Sequence, residues 1–173
     1  ADNTLWGGEF LLADYRHFRR VATFKPVAML GGSQAIYQPW RNTYAHLVAA
    51  FDWDDLQSAY GHLDLLQFLA QKPLAVLNQM LGKGINSPMA SSCGRLFDAV
   101  AAALGICRDQ ATYEGQGAIE LEALVTPTLI HQGRDTAYPF AVQTLHRGQD
   151  NPLPYLEPRP MWHELLEDVQ QGV

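Results

Sequence analysis

The residues whose types and spacing could serve chemistry begin with Arg95 and Asp98, which stand three positions apart in a segment of helical periodicity. At about 100° per residue, they fall on one narrow strip together with Ser91. Two interpretations stay open at this point. The two charges could form an exposed ion pair worth about a few tenths of a kcal/mol. Alternatively, the strip could face a ligand, because a carboxylate suits the two hydroxyl donors of a ribose.

The bordering residues of this strip are small, which leaves room for a flat molecule to approach; they are Ala99, Ala101 and Ala102. The opposite side of the same helix carries its large apolar residues. We therefore expect a core-facing set made of Leu96, Phe97, Val100, Leu104 and Cys107.

A second polar group follows in the run YEGQG at residues 113–117, just before another helical pattern. Glycine at a helix start permits close backbone approach and leaves N–H groups free. Gln116, Glu120 and Ala123 would share one side of that helix. Together with Asp98 this predicts a nucleoside cleft. A glycine-rich turn with a solvated Glu is the alternative, and it stays open.

Other kinds of catalytic centre find little support. None of the six histidines has a His or Cys partner at a ligand spacing, so the sequence predicts no complete metal site. It also holds no Gly-x-Ser-x-Gly elbow, Walker loop or dinucleotide fingerprint. Cys93 and Cys107 are best interpreted as small buried hydrophobic residues. The sequence therefore predicts no catalytic residue in this chain.

The elements that must position these residues start with a β-hairpin. Residues 5–13 and 20–24 predict its strands, with the bend in residues 14–19. Four basic side chains at and just after this bend are expected to form a solvated end; they are Arg16, His17, Arg19 and Arg20. Helices are then predicted at 40–52, from a cap at Asp54 and Asp55 through Leu69, at 74–81, at 87–104 and at 116–125. Short strands at 138–145 and 153–156 precede a last helix that begins near Pro160. The fold class is α+β and mostly helical, with a β-hairpin leading into a helical body.

Composition limits the function classes. The chain has 173 residues with 12 Lys and Arg against 18 Asp and Glu, a net charge of −6. Hydrophobic residues make up 47% and charged residues 17%, which excludes a disordered chain. Negative charge gives no reason to expect nucleic acid or an anionic membrane as a partner. With two cysteines and no long apolar run, we expect a cytoplasmic domain.

Several motifs now resemble one family. They are LWGGEF at residues 5–10, the paired Gly31 and Gly32 followed by PWR at 39–41, SSCGRLFDAV at 91–100, and YEGQ at 113–116. In this order they resemble the HypF carbamoyltransferases. The resemblance is densest at 91–100 and sparse at 50–85 and after Pro127.

The resemblance implies a fold and a place in a longer chain. The HypF family combines acylphosphatase, zinc-finger-like and carbamoyl-adenylate-forming portions with a TsaD-like domain of the actin/sugar-kinase/Hsp70 type. Residues 1–173 would form a single internal segment of that last domain. Within it, 1–30 would be the β-hairpin region, 39–126 the helical nucleotide-facing part, and 127–173 a loop-rich part with the last helix.

The resemblance also implies an activity. The intact protein would move a carbamoyl group from carbamoyl-adenylate to the C-terminal cysteine of its partner HypE, in cyanide-ligand synthesis for nickel–iron hydrogenases. Carbamoyl phosphate and ATP would be its substrates. Iron or zinc would be needed by the full-length protein, with its ligands outside this segment, and the segment alone would be inactive.

The resemblance assigns nucleotide contacts residue by residue. Phe97 and Asp98 match the Phe-Asp of TsaD-type proteins, and the turn at 113–116 with Glu120 matches their Tyr-Pro-Gly-Gly turn. The predicted nucleotide-binding residues are Asp98, Gly115, Gln116 and Glu120. Glu114 and Gln116 depart from the family's pattern. The residues alone also support a second function class, a non-catalytic helical module that binds a nucleotide or a protein.

Overall fold

The computed structural model describes residues 4–126, 137–146 and 152–172. Its strands are β1 (Thr4–Leu5), β2 (Glu9–Ala13), β3 (Phe18–Phe24), β4 (Val27–Ala28), β5 (Met89–Ala90), β6 (Ala141–His146) and β7 (Pro152–Glu157). Its helices are α1 (Gln34–Tyr37), α2 (Trp40–Ala50), α3 (Trp53–Tyr60), α4 (Asp64–Ala70), α5 (Leu74–Lys83), α6 (Cys93–Ala103), α7 (Gln116–Glu122) and α8 (Arg159–Gln171). The mixed, mostly helical fold class is therefore confirmed.

The strands form two small mixed sheets. In the first, β5 lies between β1 and β4, parallel to β1 and antiparallel to β4. The second has the order β2-β3-β7-β6, with β3 and β7 parallel and both outer pairs antiparallel. The parallel pairing of β3 with β7 joins the start of the chain to its last part.

The predicted hairpin is present as β2 and β3. Its bend is fixed by Asp14, whose carboxylate accepts hydrogen bonds of 2.7 Å from the backbone N–H groups of both Arg16 and His17. This is the local pattern by which a short acidic side chain turns the backbone. An ion pair between Glu9 and Arg20 links the two strands.

Two helix boundaries differ from the prediction. The helix expected to run through Gly61 is divided into α3 and α4, and Asp52 caps α3 by accepting from the N–H groups of Asp54 and Asp55. The two Asp residues predicted to cap it are therefore its first-turn acids. Helix α5 continues through Gly82 and ends at Lys83; it is capped by Gly84, which has a left-handed backbone with φ of 63°.

The start of α6 also corrects the prediction. Ser87 and Pro88 do not open this helix; they lead into β5, which pairs with β1 and β4. The helix begins at Cys93, where the Ser92 hydroxyl accepts a hydrogen bond of 3.3 Å from the backbone N–H of Arg95. Capping and periodicity assigned Met89 and Ala90 to the start of this helix, but the two residues pair with neighbouring strands instead.

The last part of the chain matches the prediction where it is described. Strands β6 and β7 and helix α8 lie at the expected positions. Helix α7 ends at Glu122, a few residues earlier than expected. The loop-rich segment predicted after Pro127 covers residues 127–136 and 147–151, which lie outside the described residues.

The core lies between α2, α4, α5 and α8. Its largest fully buried apolar side chains include Tyr44, Leu47, Leu65, Leu66, Leu69, Leu77, Trp162 and Leu166. Helix α6 packs on α2, and the Thr43 hydroxyl donates a 2.8 Å hydrogen bond to the carbonyl of Ala99. Over the described ranges, every helix is too short or too polar to cross a membrane.

Candidate functional site

The candidate site lies where α6 meets α7. Helix α7 approaches α6 at Gly117, where an added Cβ would lie 3.2 Å from Cβ of Ala101 and 3.6 Å from Oδ1 of Asp98. Because both helices present small residues, their backbones come close together. Ala99, Ala101 and Ala102 are fully buried by this packing and by α2, so they do not leave an open surface for a flat ligand.

The expected faces of α6 are therefore reversed in large part. Phe97 is 49% exposed and Leu104 is 42% exposed, whereas Asp98 is 3% exposed. Leu96 remains buried as predicted, and Val100 is half-buried against the core. The buried face of α6 is formed by small residues, because α2 and α7 pack closer to α6 than larger side chains would allow.

Phe97 lies in an apolar groove between α6 and α7. The groove has a volume of about 420 Å³, and its lining is formed by Phe97, Ala118, Ile119, Leu121, Glu122 and Val125. Leu121 and Val125 thus lie with Phe97 in an apolar groove at this junction.

Arg95 and Asp98 form a buried ion pair. Nη1 of Arg95 lies 2.8 Å from Oδ2 of Asp98, and the side chains are 12% and 4% exposed. The alignment is poor for a hydrogen bond: within the described residues, neither atom has a well-aligned partner. The interpretation as an exposed surface pair is therefore wrong, since both charges are withdrawn from water.

Burial has a direct electrostatic effect on Asp98. Withdrawal from water raises the pKa of its carboxyl group, Arg95 lowers it, and Glu114 raises it, so that the net direction is upward. Glu114 is exposed and lies on the other side of the guanidinium, with Oε1 3.5 Å from Nη2 of Arg95. Arg95 thus stands between a buried and an exposed carboxylate.

The other three predicted residues lie along the start of α7. Gly115 precedes the helix with φ of 82°, and nothing lies within 4 Å of the position its Cβ would take. Gln116 accepts hydrogen bonds from the backbone N–H and hydroxyl of Thr112 and donates one of 2.8 Å to Glu120. These contacts hold the exposed Glu120 about one helical turn after Gln116.

Glu120 has a second donor in Cys107. The thiol lies 3.2 Å from Oε2 of Glu120, and Cys107 has a left-handed backbone with φ of 47°. Hydrogen bonds from Gln116 and Cys107 lower the pKa of Glu120. Burial, the Glu120 hydrogen bond and nearby negative charge raise the pKa of Cys107 to about 11, so its thiol stays protonated near neutral pH.

The four predicted residues therefore lie at one helix junction, and three of them belong to two hydrogen-bonded or ion-paired groups, while Gly115 lies beside the second group at the start of α7. One group is Asp98 with Arg95 and Glu114; the other is Gln116 and Glu120 with Thr112 and Cys107. Sequence reasoning missed Thr112 and the polar role of Cys107. A threonine four residues before a glutamine at a helix start is a spacing that could have indicated the first contact.

The described residues do not fit the metal that the resemblance implies for the longer protein. In this part of the chain, no three His, Cys, Asp or Glu side chains come close enough together to hold an ion. We therefore assign no residue here to iron or zinc.

Comparison with known proteins supplies the family. The family described as "Carbamoyltransferase, Kae1-like Domain, second subdomain" matches residues 1–173. The chain belongs to the HypF carbamoyltransferase family. The region matched is the second subdomain of its Kae1-like domain, in agreement with the resemblance in the sequence.

Curated HypF proteins show the same relationship. The chain is 47% identical to HypF of Rhodobacter capsulatus over 128 residues, which is 73% of this chain and 16% of that protein. It is 36% identical to HypF of Synechocystis over 140 residues, 76% of this chain and 18% of that protein. The chain thus spans less than a fifth of the length of these two HypF proteins.

Solved HypF structures share the fold. Full-length HypF in a phosphate- and nucleotide-bound form matches with a TM-score of 0.74 at 26% identity, covering 97% of this chain and 20% of that one. HypF of T. kodakarensis matches with a TM-score of 0.64 at 27% identity, covering 96% and 21%. Both likenesses extend over nearly the whole chain, so its fold is that of a HypF segment.

Proposed function

We propose that this chain forms the nucleoside-facing part of a longer carbamoyltransferase. That protein transfers a carbamoyl group from carbamoyl-adenylate to the C-terminal cysteine of HypE, for cyanide-ligand synthesis in nickel–iron hydrogenase maturation. It uses carbamoyl phosphate and ATP and acts in the cytoplasm. Family membership supports the activity, and likeness to a HypF structure that holds phosphate and nucleotide supports the ligand class.

The observation that carries the nucleoside assignment is the ordered polar edge of α7. Glu120 is exposed, ionised and held by Gln116, and open space lies beside Gly115. An ionised carboxylate accepts hydrogen bonds from hydroxyl groups, and the half-buried Gln116 amide is already oriented. A ribose placed against this edge would meet a fixed acceptor, with room at the glycine for the nucleotide backbone.

Asp98 contributes from behind this edge. Its Oδ2 atom lies against Arg95, and its Oδ1 atom lies near Gly117. With Oδ2 held by Arg95, Oδ1 on the α7 side is the atom that would accept a hydrogen bond from a ribose hydroxyl. In the proposed site Glu120 and Gln116 are therefore the outer contacts, and Asp98 is the inner one.

The transfer itself uses groups beyond those described here. The sulfur of the HypE cysteine bonds to the carbamoyl carbon, and the bond from that carbon to the adenylate phosphate oxygen breaks, which releases AMP. The thiol proton passes to solvent or a base. Iron or zinc held elsewhere in the longer protein would supply positive charge to the adenylate. This chain contributes orientation of the nucleoside, and alone it is expected to be inactive.

Calorimetric titration of ATP into the full-length protein tests the nucleoside assignment. Replacing Glu120 by Gln removes a charged acceptor, which should weaken ATP binding by about 10-fold or more. Glu164 is an exposed acid on α8, and E164Q serves as the matched control. Equal affinities for wild type, E120Q and E164Q would overturn the assignment of Glu120.

The apolar groove favours a second candidate, a non-catalytic helical module that binds a nucleotide or a protein. An exposed Phe97 and Ile119 beside a groove are typical of a docking surface. Mass spectrometry of HypE after incubation with the full-length protein, carbamoyl phosphate and ATP separates the two. Carbamoylation of the C-terminal cysteine supports the enzyme, and nucleotide binding without carbamoylation supports the module.

A further inference from the structure

Arg95 lies between two carboxylates, one from its own helix and one from the turn before α7. Its guanidinium lies 2.8 Å from the buried carboxylate of Asp98 and 3.5 Å from that of Glu114, which is 71% exposed. The Arg95 side chain is itself nearly buried. One cation is therefore shared between a carboxylate that has lost its water and one that keeps it.

The charged groups around Asp98 are few, and each has a defined origin. From α6 comes Arg95, and from the turn before α7 comes Glu114. The titratable Cys107 also lies within electrostatic reach of Asp98 and stays neutral near pH 7. Helix α2 faces α6 with the uncharged Thr43. Arg95 is thus the cation that acts on Asp98 within the described residues.

We propose that Arg95 is a positioning residue that keeps the buried Asp98 ionised and oriented as an acceptor for ribose hydroxyls, and that Glu114 weakens this hold. The inference rests on the proposed function, because it assigns Arg95 to the nucleoside contact of Asp98. Arg95 acts through Asp98 and is not itself required to touch the nucleotide.

The physical reason is the cost of an isolated buried charge. Without Arg95, the Asp98 carboxylate would have no cation to offset its lost hydration, so it would take up a proton. A protonated carboxyl group donates a hydrogen bond from one oxygen and accepts less well, which mismatches the two hydroxyl donors of a ribose. Glu114 repels Asp98 and competes for the same guanidinium, so it acts in the opposite direction.

The test is the pH dependence of ATP affinity in the full-length protein. Acidification should weaken binding once Asp98 is protonated. In R95M the pH midpoint of this loss should move up by about one pH unit or more. The reason is that a cation within 4–6 Å lowers the pKa of a carboxyl group by about one to three units, and R95M removes that cation. R95K keeps the charge and should restore a midpoint near that of wild type. A merely structural role for Arg95 would lower affinity without moving the midpoint.

E114Q keeps the test decisive even where R95M does not fold. Glu114 is exposed, and its replacement should move the midpoint down by about half a pH unit. An unchanged or higher midpoint in E114Q would overturn the inference, as would an unmoved midpoint in a folded R95M.

D98N separates failure of this inference from failure of the proposed function. It also gives the baseline for protonation of ATP itself. If D98N binds ATP like wild type, the nucleoside contact of Asp98 is wrong. If D98N binds weakly while R95M keeps the wild-type midpoint, the contact stands and only the role of Arg95 is wrong.

Discussion

The imidazole ring of His46 lies 5.8 Å from the indole ring of Trp162, tilted by 40°, in the interface between α2 and α8. Both side chains are buried. In the described part of the chain, Nδ1 of His46 and Nε1 of Trp162 have no hydrogen-bond partner. A histidine in this setting can be accommodated only in its neutral form, since burial and the nearby Lys25 both oppose a positive charge.

This relationship predicts acid destabilisation. Burial, and then Lys25, lower the pKa of His46 to about 3, whereas an unfolded histidine has a pKa near 6.5. As the pH falls below 6.5 the unfolded state takes up a proton that the folded state refuses. The free energy of unfolding should therefore fall by up to about 1.4 kcal/mol per pH unit between these two values.

Urea unfolding of the full-length protein at several pH values, followed by tryptophan fluorescence, measures this slope. His46→Phe removes the titrating group. It should reduce the slope of the unfolding free energy against pH, between pH 6 and pH 4, by the equivalent of about one bound proton. His163, exposed on α8, gives the matched replacement H163F. An undiminished slope in H46F, or an equal reduction in H163F, would contradict the assignment to His46.

The second prediction concerns the reversed face of α6. Because Leu104 is 42% exposed, Leu104→Ala should cost less than about 1 kcal/mol. Leu166→Ala, at a side chain that is 1% exposed, should cost about 2–5 kcal/mol as a core truncation. Chemical denaturation compares the two variants. A loss of unfolding free energy in Leu104→Ala as large as that in Leu166→Ala would show that Leu104 faces the core, as the sequence pattern predicts.

The third prediction concerns the approach of the first strands to α6. A Cβ on Gly8 would lie 2.3 Å from the carbonyl oxygen of Ser91 and 2.7 Å from the Phe24 ring, so the backbone would have to shift. Gly8→Ala should therefore destabilise the protein by about 1–3 kcal/mol. Gly82→Ala is the matched control, because it lies inside α5 with nothing within 4 Å of its Cβ position. It should be neutral or stabilising by up to about 1 kcal/mol. Equal melting temperatures for the two variants would contradict the close approach.

Local signals predicted much of the architecture. The hairpin at 9–24, the helix after Pro39 and the last helix follow from turn residues and apolar spacing that tertiary contacts did not override. The start of α6 could not be predicted in this way, because Met89 and Ala90 pair with strands more than 60 residues away in the sequence. Non-local pairing of so short a strand leaves no periodic trace.

The site shows the same division. The sequence indicated Asp98 and Glu120 by their positions on helices, and the structure brings both to one junction. It could not indicate the burial of Asp98, because an apolarity scale ranks Phe97 above Ala101 for the core. Close approach of α7 at Gly117 reversed that order. Helix-to-helix distance is a tertiary quantity, and it decides which face is buried.

The transfer reaction tests the central claim most directly. The rate of HypE carbamoylation from carbamoyl phosphate and ATP is measured for full-length wild type, D98N, E120Q and the control E164Q, alongside hydrolysis of carbamoyl phosphate alone. Loss of a charged acceptor for the ribose should lower transfer efficiency at limiting ATP by about 10- to 150-fold in D98N and E120Q. Hydrolysis should stay unchanged, since it needs no nucleoside contact, and E164Q should match wild type in both assays. Wild-type transfer in both D98N and E120Q would contradict the claim that this chain holds the nucleoside.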